Sequence, residues 1–266
     1  MSWLELGAGV LARRHTELDL TTGLVLGSRL ALVVDTRGDL DQGRELHDAV
    51  REVTDLPCAV VVTHGHFDHC FGTGAFGPVP VWAHEGCPRF LRRTADQQRA
   101  DWVRHYRTTG APDIARALDA TRPVLPDRLV ANRADLDLGD RVVHLLHPGA
   151  GHTEHDLVVH VPGAGALFAG DLFERDAPPD FEHAVPEGWP VSTGRLLELR
   201  PQVVVPGHGD PADLAQLRVQ HEELAALADL CRRVRSGNET GERAVELSPF
   251  PPETTRTALS RAQRPR

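Results

Sequence analysis

The sequence predicts an α+β fold, and three observations carry that prediction. Short apolar or alternating runs separated by turn residues open the chain. One amphipathic helix and a continuous apolar strand follow. After a helical, arginine-rich stretch the strands resume and lead into a long helix.

The opening strands are read at Val10-Leu11-Ala12, Gly23-Leu24-Val25-Leu26 and Leu30-Ala31-Leu32-Val33-Val34. Between Leu40 and Val53, the residues Leu46, Ala49, Val50 and Val53 recur at helical spacing, which gives one apolar face. After Pro57, the run Cys58-Ala59-Val60-Val61-Val62-Thr63 reads as a buried strand. From 88 to about 129 the pattern is helical and is read as an insertion. Its Trp102, His105 and Tyr106 share one face, the kind that ordinarily packs in a core or against a subunit and that can also roof a site. Strands return at Arg141 to Leu146, and a hairpin is expected from Leu157 to Val161 and Ala166 to Ala169 around Pro162-Gly163-Ala164-Gly165. A last strand, Val203 to Val205, precedes a helix with Leu214, Leu217, Leu224, Leu227, Cys231 and Val234 inward, stopped at Ser236-Gly237. One domain is expected over 1–237, followed by a loosely ordered tail over 238–266 where apolar periodicity is weak.

Composition narrows the function classes. The chain has 266 residues, 41% of them hydrophobic and 25% charged, and no apolar stretch long enough to span a bilayer. Its formal net charge of −9 disfavours nucleic acid as a partner, since a polynucleotide needs a basic track. No basic and apolar leader opens the chain, and Cys58, Cys70, Cys87 and Cys231 show no paired spacing, so reduced thiols and a cytoplasmic location are expected.

The chemistry is concentrated after the buried strand, in Thr63-His64-Gly65-His66-Phe67-Asp68-His69. Four potential metal ligands lie within six residues, where one loop can turn several side chains toward one point. On an extended backbone His64 and His66 share a face, while Asp68 and His69 fall where the chain bends away. Three further candidates, His152, Asp171 and His208, each follow a strand beside glycine or proline. Imidazoles and carboxylates suit zinc and also iron or manganese. Clustered in a fold interior without a metal, they would leave costly unpaired polar groups. Isolated histidines are ordinarily packing or surface residues, which is the reading for His15, His47, His144, His160 and His221. His84 and His155 lie close in sequence to the motif positions and are candidates to support ligands.

These residues resemble the metallo-β-lactamase superfamily, through an H-x-H-x-D-H motif and three separated motifs in the family's order, from about Gly9 to Val234. The resemblance implies a four-layer αββα sandwich with the metals where strands end in loops. It further implies that His64, His66 and His152 bind a first metal, that Asp68, His69 and His208 bind a second, and that Asp171 bridges them. Two divalent ions, zinc first among them, would then activate a bridging hydroxide, with Asp68 orienting its attack.

Departures within the family sort the activities. Lactam-cleaving members generally lack the bridging aspartate and are exported, so β-lactam hydrolysis is expected only as a side activity. Hydroxyacylglutathione hydrolases grip glutathione with lysines and a C-terminal helical domain, and this chain has no lysine. Acyl-homoserine lactonases place a tyrosine after the bridging aspartate, whereas the only tyrosine here is Tyr106. Flavin-dependent and large nuclease members need longer chains. The expected activity is hydrolysis of a small-molecule thioester, lactone or other ester, with a metal-dependent phosphodiesterase or nuclease as the alternative. The loop from Leu172 to Thr193, with Phe173, Glu174, Arg175, His183 and Trp189, is expected to shape the pocket. Arg175 and Arg195 could grip a carboxylate, although solvated arginine is the commoner role. The insertion offers a face on which two copies could pair, so a homodimer is admitted.

Overall fold

Alternation along the strands explains the architecture. Val60 and Val62 point to one side of their strand and Ala59 and Val61 to the other, and all four are buried. A strand covered on both faces must be apolar throughout. The computed structural model describes residues 2–263 and arranges such strands in two sheets.

The first sheet runs in chain order through β1 (Leu4–Gly7), β2 (Val10–Arg14), β3 (Thr21–Leu26), β4 (Ala31–Val34), β5 (Cys58–Val61), β6 (Val81–His84) and β7 (Arg128–Val130). It is antiparallel up to β4 and parallel from there. The second contains β8 (Arg133–Asp137), β9 (Val142–Leu146), β10 (Val158–Val161), β11 (Ala166–Gly170) and β12 (Val203–Pro206), in the order β12-β11-β10-β9-β8. Only β11 and β12 pair in parallel there.

Between the sheets, Val25, Leu32, Ala59 and Val61 meet Leu145, Val159, Phe168 and Val205. Outside the first sheet, Leu24, Val33 and Val60 pack on α1 (Leu40–Val53), α3 (Cys87–Thr108) and α4 (Pro112–Ala120) through Leu46, Leu91 and Leu118. Outside the second, Val158, Leu167 and Val204 pack on α5 (Trp189–Glu198) and α6 (Leu214–Arg235) through Leu196, Leu217 and Leu224. The result is the four-layer αββα sandwich. Both long helices flanking the site elements start where the sequence placed them. Asp39 caps α1 by accepting from two backbone amides, and Asp213 with Gln216 forms a capping box on α6.

Several elements differ from expectation. The helical reading of 88–129 holds over α3 and α4, but its last residues join the first sheet as β7. The strands β7 and β8 are sheet edges, the first only three residues long and the second with just Ala134 and Leu136 half-buried between exposed charged residues, so the apolar pattern there is short and weak. The expected loose tail is corrected: α7 (Gly241–Leu247) and α8 (Pro252–Ala262) are ordered helices. Their Ala244, Ala258 and Leu259, with Phe250 between them, are buried in the α6 layer. Those apolar residues are too few to show a periodic stripe, yet each lands on a surface that α6 already presents. Residues 264–266 of that tail lie outside the described residues. No helix among the described residues is long and apolar enough to cross a membrane.

Candidate metal centre and active site

Seven side chains converge where the strands end. The chain leaves β5 into the His64 to His69 loop, with α2 (Phe67–Cys70) turning Asp68 and His69 inward. His152 follows β9, Asp171 follows β11 and His208 follows β12. Gly207 makes this closure possible, because a Cβ there would stand 1.7 Å from Asp171 Oδ1.

The donors fall into two groups: His64, His66, His152 and Asp171, then Asp68, His69 and His208. In the first, His66 Nδ1 lies 3.1 Å from His64 Nε2 and 2.9 Å from His152 Nε2. Asp171 Oδ2 lies 3.6 Å from His64 Nε2 and 3.5 Å from His152 Nε2. In the second, Asp68 Oδ2 is 3.3 Å from His208 Nε2 and 3.6 Å from His69 Nε2, and the two ring nitrogens are 3.4 Å apart. Asp171 also reaches this group, at 3.2 Å from His69 Nε2 and 3.4 Å from His208 Nε2. Four ligand atoms set tetrahedrally about 2.0–2.1 Å from one zinc ion lie about 3.3–3.4 Å apart, which is the spacing seen in both groups.

Hydrogen bonds on the far side of each ring orient it. The outer Nδ1 of His69 donates to Asp35 Oδ2 at 2.8 Å and that of His208 to the Leu18 carbonyl at 2.7 Å. His152 Nδ1 faces the Asp180 carbonyl at 3.3 Å. His64 Nδ1 faces Thr63 Oγ1 at 3.1 Å, and that hydroxyl donates to Asp35. His66 turns its Nε2 to His183 Nδ1 at 3.0 Å. With each outer nitrogen carrying the proton, five inner lone pairs and two carboxylates aim at the same small volume.

Such an arrangement calls for positive charge. Asp171 Oδ1 is buried without a hydrogen-bond partner among the described residues. Burial pushes the imidazoles of His69 and His208 down, but Asp171 and Asp68 outweigh it and hold both well above the ordinary histidine range. Burial, then the neighbouring imidazoles, hold His64 and His66 well below that range. Divalent cations would satisfy the orphaned oxygen and the crowded lone pairs together, so the residues fit the metals that the motif implies.

A cavity of about 690 Å³ opens onto Asp68, His66, His152, Asp171 and His208. Its walls come from α3 (Gln98, Asp101, Trp102) and from the loop after β11 (Glu174, Arg175, His183). Trp102 stacks near Phe67 with ring centroids 4.5 Å apart, while Tyr106 is buried and bonded to Glu17. The aromatic face is therefore partly wall and partly core. Glu174 sits half-buried there, its carboxyl raised well above the usual range by loss of solvent and by Asp171.

The structure also sorts the remaining candidates. His15, His47, His144, His160 and His221 belong to neither donor group. His155 accepts from the Gly65 amide at 3.1 Å, inside the ligand loop, whereas His84 stacks on His147 with ring centroids 4.0 Å apart. Arg175 lines the cavity, but Arg195 donates to the Pro148 carbonyl at 2.7 Å. Sequence reasoning missed Asp35 and Gln98 and gave His183 only a place in the pocket wall. Asp35 follows β4 just as the ligands follow their strands, and that position was the available signal.

Comparison with known proteins agrees with this geometry. Residues 16–208 match the Metallo-beta-lactamase superfamily. The acyl-coenzyme A thioesterase MBLAC2 of Gallus gallus is 29% identical over 227 residues, covering 79% of this chain and 80% of that protein. The metallo-beta-lactamase type 2 of Bacillus cereus is 27% identical over 217 residues, covering 75% and 73%. A solved metallo-beta-lactamase from Pontibacter korlensis superposes with a TM-score of 0.68 at 22% identity, covering 84% of this chain and 98% of that one, a likeness of fold.

Proposed function

This chain belongs to the metallo-β-lactamase superfamily of hydrolases, and from that premise we propose that it is a dinuclear-metal enzyme cleaving a small-molecule acyl bond in a thioester, lactone or other ester. The observation that carries the proposal is the convergence of seven donors in two tetrahedrally spaced groups that share Asp171. His64, His66 and His152 would hold one cation, Asp68, His69 and His208 the other, and Asp171 both. Zinc suits the set best, and iron or manganese also fits imidazole and carboxylate donors. Two such cations supply a Lewis acid and a water acidic enough to act as a nucleophile near neutral pH.

The chain's own groups supply the rest. Asp68 reaches the cavity as well as His208, so it can accept a hydrogen bond from the attacking water and orient it. Phe67 and Trp102 form an apolar wall that excludes bulk water from a bound acyl group. Charge on the remaining wall bears on the substrate. Setting Asp68 and Asp171 aside, the cavity carries Asp19, Asp101, Glu174, Asp176, Asp180 and Glu182 against Arg93 and Arg175. That balance disfavours a polynucleotide, which needs a basic track, and supports a small acyl compound over a nucleic-acid phosphodiester. The similarity to an acyl-coenzyme A thioesterase supports a thioester within that class. Four free cysteines suit a reducing compartment, so the proposal places the enzyme in the cytoplasm.

Elemental analysis of the purified protein, with hydrolysis assays on thioesters, lactones, a phosphodiester and a β-lactam, tests the proposal. Two metals per chain with acyl-ester turnover is the expected result. Failure to take up zinc, iron or manganese overturns the dinuclear centre, and turnover of the phosphodiester alone overturns the substrate class.

A further inference from the structure

His66 is held across both of its flanking peptide units by one side chain from another element. Gln98, buried on α3, accepts from the Phe67 amide through Oε1 at 2.9 Å and donates from Nε2 to the Gly65 carbonyl at 3.1 Å. These two groups belong to the peptide units on either side of His66, so one planar amide spans the residue. The orientation of that amide is set by a third bond, from Nε2 to Thr94 Oγ1 at 3.0 Å, and Thr94 in turn donates to the Phe90 carbonyl. Beside Phe90 of α3, His155 accepts from the Gly65 amide. Gly65 leaves α3 room to approach, because a Cβ there would meet Phe90 Cδ1 at 2.7 Å. His66 itself has extended dihedrals, φ −76° and ψ 149°, and no strand among the described residues pairs with it.

We propose that Gln98 is a positioning residue that fixes His66 with Nδ1 facing the first donor group, so that α3 sets the metal affinity of that group and not of the other. The proposal rests on the reading of His66 as a metal ligand. His69 and His208 take their orientation from Asp35 and the Leu18 carbonyl, and neither contact involves α3. Loss of an outer partner of a ligand typically weakens metal binding about 10–100-fold. Because α3 also lines the cavity with Thr94, Gln97 and Trp102, the helix that touches an occupant is the one that holds the ligand loop.

The test compares wild-type protein with Gln98→Met, which retains volume and loses both bonds, and Gln98→Glu, which retains the acceptor for Phe67 and sets a repelling carboxylate against the Gly65 carbonyl. Zinc affinity is read stepwise by competition with a chromophoric chelator, and cobalt(II) absorption reports which group is perturbed. The expected result is a loss of about 10–100-fold in one step, assigned by cobalt to the three-histidine group, with the other step unchanged. Both steps unchanged in both variants, or both weakened equally alongside a lower melting temperature of the metal-free protein, would overturn the proposal. If Gln98→Met fails to fold, Gln98→Glu carries the same comparison. Wild-type protein that binds no metal overturns the underlying reading, and the proposal with it.

Discussion

The two donor groups are supported by different parts of the molecule. In the group of His64, His66 and His152, two of three outer ring nitrogens face Asp180 and His183 on the loop after β11. In the group of Asp68, His69 and His208, the outer nitrogens face the buried Asp35 carboxylate and the Leu18 carbonyl in the turn before β3. The first group thus depends on a surface loop and on α3, and the second on the ends of the central strands. Asp35 joins them, because it accepts from His69 directly and from Thr63, the partner of His64. A change at the loop should therefore disturb one group, and a change at Asp35 both.

The largest effect is expected at the reacting centre. Asp68→Asn should lower turnover about 10²–10⁴-fold with the fold intact, measured as kcat alongside metal content and circular dichroism. Unchanged turnover would remove Asp68 from its assigned role. Next, Asp35→Asn should weaken both zinc steps about 10–100-fold, and weakening of only one would break the symmetry argued for Asp35. His183→Gln should be milder, about 10-fold and confined to the three-histidine group, as read by the cobalt spectrum.

The smallest effect near neutral pH concerns the turn that carries the Leu18 carbonyl. His15 closes that turn through its amide to the Leu20 carbonyl at 2.7 Å and packs its ring on Thr22 Oγ1 at 3.0 Å. Burial, and then Arg37 and Arg13, lower its pKa to about 3. Its folded value therefore lies below the unfolded one. Its contribution to stability is fully present above about pH 6.5 and is lost as pH falls toward about 3, by up to about 1.4 kcal/mol per unit. Denaturant melts of wild type and His15→Gln across that window should show a shallower acid loss in the variant. Equal slopes would assign the acid sensitivity elsewhere.

Legibility in the sequence followed the range of the interaction that produced each feature. The donor residues were visible because four cluster in the loop after an apolar strand and three more follow strands beside glycine or proline, which are local patterns. The end of α6 at Ser236 was visible for the same reason, with Gly237 at a φ of +75°. Asp35 was not, since it lies 34 residues from the histidine it orients. Gln98 looked like any polar residue on an exposed helix. The helices α7 and α8 were invisible because Ala244, Phe250 and Leu259 are sparse among charges, and only the surface of α6 turns them into core.

By itself, the sequence determined that a strand covered on both faces leads into the His64 to His69 loop, where α1 and α6 lie, and which seven side chains are candidate metal donors. All of these follow from local periodicity and side-chain chemistry, which folding does not alter. Only the tertiary structure decided which nitrogen of each imidazole faces inward, which walls enclose the cavity, and that the last two helices close the outer layer. Those outcomes depend on groups distant in the chain meeting with hydrogen-bond geometry, and no local pattern encodes such a meeting.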